Sequence, residues 1–438
     1  MRPALLNVAR HIIVVVAVLS CVVPSALAAQ ATSAAAVATT PAVRWDPLVD
    51  YGGDFFPAAA LAFGPVRRQF NGQPRMFSDA PLAAAVPSRA YPPPPTATVA
   101  GSRVTQSHYL GDAFGLLGLR MTWSRSPARV RVVVDAPDLA SPSMLEVQLA
   151  DSGATYELFP EMLYNDRALK AIAQPVISNV AFRVFVNDTL IGERTQRVQV
   201  RATSDVPYAY RSRQGLMQSQ PWLFATFVNE YDPVIDVLLQ EALATRVVMS
   251  FDGYQSNQPQ QVTQQVFAIW NVLQRRGIRY SSIATAVPTV GGVYSQSVRA
   301  LRDALGTAQA NCVDGSVLFA SVLRRIGVDA FLVLQPGHMY VGYYRDPQHM
   351  QISVLETTML GSANLKDFAK DGSLLGGLSQ ALGADTKNSA SAKTFDAAIA
   401  SAADRYNRAR EASKGRATLE FQIIDIAQAR AWGLAPAR

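Results

Sequence analysis

Cysteine and histidine are scarce in this chain, with two and four copies among 438 residues. That scarcity excludes several kinds of chemistry. Zinc sites need Cys, His or carboxylate ligands clustered at short spacings. The cysteines at 21 and 312 and the histidines at 11, 108, 338 and 349 supply neither a zinc ribbon nor an HExxH helix. The chain also lacks a GxSxG nucleophile elbow, a Walker-type glycine loop and an EF-hand calcium loop. No metal and no cofactor is expected. Long runs of one charge are missing too. The net charge of +7 is spread out, with no basic run denser than pairs such as Arg67-Arg68, Arg275-Arg276 and Arg324-Arg325. No basic patch interleaved with aromatics is present, which argues against a nucleic-acid partner. After the first 28 residues no apolar stretch reaches membrane-spanning length, so the mature chain is expected to have no transmembrane domain.

Residues 1–28 read as a secretory signal. Arg2 and Arg10 form a positive start, Ile12 to Val23 is an apolar run, and Ala26-Leu27-Ala28 is a small-x-small cleavage site. Pro24 and the small residues after it disfavour an uncleaved anchor. Cys21 is followed by Val22 and Val23, which continue the apolar run, unlike the start of a lipoprotein. The expectation is an exported protein, periplasmic or extracellular. Export also sharpens the cysteine count. Removing the signal leaves Cys312 with no intramolecular partner, in compartments where thiols usually pair. Such a residue is either an inert buried thiol or a reactive one.

The length favours two or three domains. Composition assigns 29–100 to a Pro/Ala-rich linker that includes the stiff Tyr91-Pro92-Pro93-Pro94-Pro95. From 101 to 205 the pattern is that of short strands, at Val130–Val134, Met144–Leu149, Val180–Val186 and Arg197–Ala202. Asn187-Asp188 is a hairpin-turn signal. Together these suggest an immunoglobulin-like β-sandwich. From 215 to 438 helices precede a sheet, an α+β order. Helices are expected at Trp222–Leu243 with a break near Pro233, at Gln260–Arg276, at Ser297–Leu305 and at Val313–Ile326. Strands are expected at Ala330–Leu334, Met339–Tyr344 and Gln351–Glu356. An insertion is expected at 371–416, with an amphipathic helix from Phe395 to Glu411, and Leu419–Ile426 reads as a closing strand.

Three residues within this pattern carry chemistry. Cys312 precedes the fourth helix, where the positive end of the macrodipole favours a thiolate. Asp314 reads as the cap of that helix rather than as a catalytic acid. His338, at the entry to a strand, is the proton acceptor a cysteine nucleophile needs. If the next hairpin is centred on Pro347, His338 pairs with Glu356, Tyr340 with Val354 and Tyr344 with Met350. Directly opposite side chains share a face, about 5 Å apart at Cβ, so Glu356 would orient the imidazole. Each residue alone has an ordinary structural role available. Together, at these spacings, they point to a site.

These residues resemble the transglutaminase-like superfamily, whose members have a papain-type fold. The resemblance is carried by Cys312-x-Asp314 at a helix start, Leu323-Arg324-Arg325-Ile326-Gly327-Val328-Asp329-Ala330, Gly337-His338, and the acidic residue of the third strand. Ser295-Gln296-Ser297-Val298-Arg299 is similar to the helix ahead of the cysteine in bacterial members. Ile424-Asp425-Ile426-Ala427-Gln428-Ala429-Arg430 and Gly433-Leu434-Ala435-Pro436 are similar to their closing segment. The resemblance implies Cys312 as nucleophile, His338 as general acid and base, and Glu356 as the orienting carboxylate, where the family more often has Asp. It implies an oxyanion hole built from the Cys312 N–H and a second donor, for which Gln296 is a candidate. The substrate implied is a protein or peptide, the cell envelope being one source, with a peptide crosslink and a small amide equally open, attacked through a thioester with hydrolysis or transfer as outcome. The family also contains inactive scaffolds, so a binding protein of the cell envelope is the alternative.

Overall fold

The computed structural model describes residues 43–69, 108–112, 114–123, 127–149, 153–211, 217–281, 292–361, 386–414 and 420–437. The expected signal segment 1–28, the polyproline stretch 91–95 and the Gly/Ser-rich residues 371–385 lie outside the described residues.

The fold is mixed α+β. In the N-terminal part, hydrophobic alternation produces two sheets. One orders Val43–Val49, Leu117–Trp123, Thr155–Phe159 and His108–Gly111. The other orders Asp54–Phe55, Thr189–Val200, Val176–Val186, Ala128–Asp135 and Ser143–Leu149. Every second residue of Ala128–Asp135 is buried, as period-2 patterning requires. The buried faces of both sheets join one hydrophobic cluster, with Leu119, Met121 and Trp123 from the first and Val132, Phe182 and Val198 from the second. Asn187 and Asp188 have φ of 46° and 67° and form the expected two-residue turn.

The expected linker requires a correction. Val43–Val49 pairs antiparallel with Leu117–Trp123, Asp54–Phe55 pairs parallel with Gln199 and Val200, and Pro57–Gln69 is a helix. The alanines that give this stretch a linker-like composition are packing residues. Ala58, Ala59, Ala60 and Ala62 are buried beside Phe55, Phe56 and Phe63.

The two parts of the chain are stitched by a small sheet in which Asp205–Arg211 pairs with Met217–Ser219 and with Val293–Ser297. The C-terminal elements are α1 (Pro233–Ala244), α2 (Pro259–Arg275), β1 (Arg279–Tyr280), β2 (Val293–Ser297), α3 (Leu301–Thr307), β3 (Gln309–Ala310), α4 (Cys312–Arg325), β4 (Ala330–Gln335), β5 (His338–Tyr344), β6 (Ile352–Leu355), α5 (Thr386–Ala412), β7 (Gln422–Asp425) and α6 (Ile426–Ala431). Two expected helices change. Pro221–Phe227 forms a fully buried 3-10 turn, and α1 begins at Pro233, where a missing N–H costs nothing. The expected helix at 297–305 is shortened, because Val293–Ser297 pairs with Asp205–Arg211 as a strand and α3 starts only at Leu301.

The sheet that carries the site has the order β6-β5-β4-β7 and is antiparallel throughout. One face packs on α4, where Phe319, Leu318 and Val322 share a core with Met339, Val341 and Leu332. The other face, with Phe331, Val333, Tyr340 and Val354, is covered by Ala402 and Tyr406 of α5. Helix α5 is longer than the sequence pattern suggests and is integral to the core. A buried polar seam ties it to α2, where Trp270 Nε1 donates to Thr394 Oγ1 at 3.0 Å and Asn271 Nδ2 to Asn388 Oδ1 at 2.8 Å. The closing segment is anchored by Arg430, which bonds Glu230 and the Val228 carbonyl.

Candidate active site

Cys312 is the first residue of α4. Its helix is held by a capping box. Asn311 Oδ1 accepts the N–H groups of Val313 and Asp314, both at 2.8 Å, while Asp314 Oδ2 accepts the Asn311 N–H at 3.1 Å. Asn311 is therefore the cap, and Asp314, expected in that role, stands three residues in. The Asp314 side chain is fully buried and also accepts the Arg299 N–H at 2.8 Å, which ties the preceding loop to the helix start. Burial pushes its carboxyl up, against the pull of these two N–H groups and of the Arg299 charge. The capping bonds leave the Cys312 N–H out of the network, at the positive end of α4. Cys312 is half-buried.

His338 opens β5. Gln335 pairs with His338 across a two-residue turn, with Pro336 at the first corner and Gly337 at the second with φ of 68°. That is the residue order of a type II turn, which needs positive φ where glycine stands. His338 Nε2 lies 2.7 Å from Glu356 Oε2, and the Cys312 side chain is near enough to the imidazole to act on its protonation.

The register that makes this contact differs from the expected one. Tyr344 pairs with Ile352 and Val341 with Leu355, so the hairpin is centred on Gln348 rather than Pro347. Asp346 is the reason. Its carboxylate accepts the N–H groups of Met350 and Gln351, and Arg345 N–H bonds the Gln351 carbonyl at 2.7 Å, which fixes a five-residue loop with His349 at φ of 59°. The shift moves each partner by two positions, so the faces are preserved. His338 and Glu356 meet diagonally instead of directly.

Electrostatics favour an ion pair at this point. Burial alone would lower His338, but hydrogen bonds to Cys312 and Glu356 and the charges on both raise it to about 9. Burial would raise Glu356, which is 3% exposed. The bond and charge of His338, with the hydroxyl and N–H of Thr358 at 2.7 and 3.2 Å, hold it below its ordinary range. Arg405 of α5 adds a cation 3.9 Å from Glu356 Oε2.

The structure thus brings together the three residues expected as catalytic: Cys312, His338 and Glu356. Gln296 is engaged differently, since its amide donates to the Ser297 carbonyl at 2.9 Å. Sequence reasoning missed Tyr280, whose phenol lies within electrostatic reach of Cys312 and Glu356, and Arg405. Neither sits in a motif, and only the fold places them here. Among the described residues no group of three or more His, Cys, Asp or Glu forms a metal site, and no helix is long and apolar enough to cross a membrane. No protein-family model matches the chain, and no curated protein matches it.

Proposed function

We propose that this chain is an exported, cysteine-dependent acyl-transfer enzyme with a transglutaminase-like C-terminal domain and an immunoglobulin-like β-sandwich before it. The observation that carries this reading is the 2.7 Å contact between His338 and Glu356, with Cys312 at a helix N-terminus near enough to act on the same imidazole. A raised His338 holds a proton at neutral pH, and an imidazolium beside the sulfur stabilises a thiolate, the nucleophilic form.

In this mechanism the Cys312 thiolate attacks the carbonyl carbon of a protein or peptide amide, and the C=O electron pair moves onto oxygen. The tetrahedral adduct collapses, the C–N bond breaks, and the leaving amine takes the proton of His338. A thioester remains on Cys312. Neutral His338 then accepts a proton from water or an incoming amine as that nucleophile bonds to the thioester carbon; the second adduct collapses, the C–S bond breaks with its electron pair on sulfur, and the acid or new amide leaves the thiolate-imidazolium pair regenerated. Glu356 holds the ring in place throughout and stays ionised.

The test is alkylation of Cys312 with iodoacetamide, followed by peptide mass spectrometry from pH 5 to 10. The expected result is fast labelling well below pH ~8.5, where an ordinary thiol is protonated, and slower labelling in His338→Ala. Labelling confined to pH ~8.5 and above, with no effect of His338→Ala, sinks the proposal and leaves an inert scaffold as the reading.

A further inference from the structure

An attack on a carbonyl needs more than a nucleophile. Negative charge develops on the carbonyl oxygen, and one backbone N–H, that of Cys312, is on hand to meet it. The side chain expected to help, Gln296, commits one amide N–H to the Ser297 carbonyl. The fold supplies a different donor. β1 and β3 pair in parallel, with Tyr280 opposite Ala310. Ser281 N–H bonds the Ala310 carbonyl and Arg279 N–H the Ala308 carbonyl, both at 3.0 Å, which locks the register. Paired residues share a face. The chain stays extended through Asn311, with φ of −85° and ψ of −175°, so Cys312 follows on the face of Ala310 and Tyr280.

The geometry points to the Tyr280 hydroxyl as the side-chain donor of the oxyanion hole, an assignment that rests on reading Cys312 as the nucleophile. β1 also packs on the short helical turn Thr357–Met359 capped by Glu356, so Tyr280 is bracketed by the elements that carry the other site residues. Tyr280 is 47% exposed although it is a large aromatic, so a ligand from solvent can reach it. Burial, then the charges of Cys312 and Glu356, raise its pKa, so the phenol keeps its proton and remains a donor. A hydroxyl placed there strengthens its bond as the carbonyl oxygen becomes charged, which is the condition for accelerating the step.

Two reactions of one sulfur separate this role from any effect on the thiolate. Alkylation by iodoacetamide displaces iodide at a saturated carbon and forms no oxyanion. Acylation by p-nitrophenyl acetate does form one. The thiolate bonds to the carbonyl carbon, the C=O pair moves to oxygen, and collapse re-forms C=O while p-nitrophenolate departs with the C–O pair. That leaving group needs no proton, so His338 is not tested as an acid. In Tyr280→Phe, acylation of Cys312 is expected to fall by about 100- to 1000-fold, while alkylation stays within about twofold. Mass mapping reads Cys312 apart from Cys21, and Cys312→Ala gives the background. Unchanged acylation in Tyr280→Phe overturns the assignment, and so does an equal fall in both reactions, which would make Tyr280 a residue that positions the thiolate. A wild-type Cys312 that acylates no faster than a free thiol is a separate failure, and it removes the nucleophile reading itself.

Discussion

Glu356 reaches His338 across a diagonal of the β5-β6 ladder. The register of the hairpin sets Val341 against Leu355, so continuing it by one residue sets Tyr340, not His338, against Glu356. Diagonal neighbours on a sheet face stand roughly 7–8 Å apart, too far for a short carboxylate to bridge from its own strand. Glutamate has one methylene more than aspartate, and its oxygen closes the gap to 2.7 Å. The residue at this position and the register of its hairpin therefore explain one another. Glu356→Asp is expected to slow iodoacetamide labelling of Cys312 at pH 7 nearly as much as Glu356→Gln, because each leaves the imidazole without the carboxylate that orients it. Labelling of Glu356→Asp at the wild-type rate would show that length is not what places the carboxylate.

The same pair makes stability depend on pH with a definite sign. His338 is raised from 6.5 to about 9 in the folded chain, so it contributes stability in full below pH 6.5 and loses it as pH climbs towards 9. Glu356 is lowered from 4.5, so its share holds above that value and fades as pH falls further. The melting temperature of wild type should exceed that of His338→Gln most between about pH 5 and 6.5, and the gap should narrow towards pH 9. A gap that stays constant or widens over that range contradicts the raised imidazole.

Gly315 is where the helix start meets the carboxylate side of the site. A Cβ there would lie 2.6 Å from Thr357 Oγ1 and 2.9 Å from Thr357 Cβ, in the residue next to Glu356. Both groups are buried, so Thr357 has little room to retreat. Gly315→Ala is expected to cost about 1–3 kcal/mol through overpacking, even though alanine is the better helix former. It should also slow Cys312 labelling by moving Glu356. Denaturant unfolding and alkylation, measured on the same sample, check both effects. A stabilised variant would mean that the turn carrying Thr357 yields freely.

The site was partly legible in the sequence. Helix α4 announces itself through apolar spacing from Val313 to Ile326 and a glycine stop. The faces of His338 and Glu356 follow from the parity of the strands. The exact partner did not follow, because Asp346 caps the loop with side-chain bonds and shifts the centre by one residue, a choice that no strand propensity encodes. Tyr280 was invisible for another reason. Its strand is two residues long and gains its place from Ala310, thirty positions away. Residues 43–69 misled through composition, since small alanines serve a tight core as readily as a linker. Gln296 was drawn away from its expected role once Val293–Ser297 found a strand partner.

Asn311 offers the means to separate helix capping from reactivity. Its Oδ1 holds the Val313 and Asp314 N–H groups, while its own backbone N–H, which any residue retains, holds Asp314 Oδ2. Asn311→Ala removes only the first half of the box. It should cost about 1 kcal/mol of stability, the usual loss for a missing cap oxygen. The first turn of α4, which carries Cys312, should fray, so alkylation at pH 7 should slow. Asn311→Ser keeps an acceptor on a short side chain and should recover most of both losses. Stability is read by denaturant unfolding and first-turn fraying by amide exchange at Val313 and Asp314. If Asn311→Ala exchanges faster at both amides yet labels Cys312 at the wild-type rate, the ordered helix start is not what activates the sulfur, and the imidazolium of His338 must do so alone.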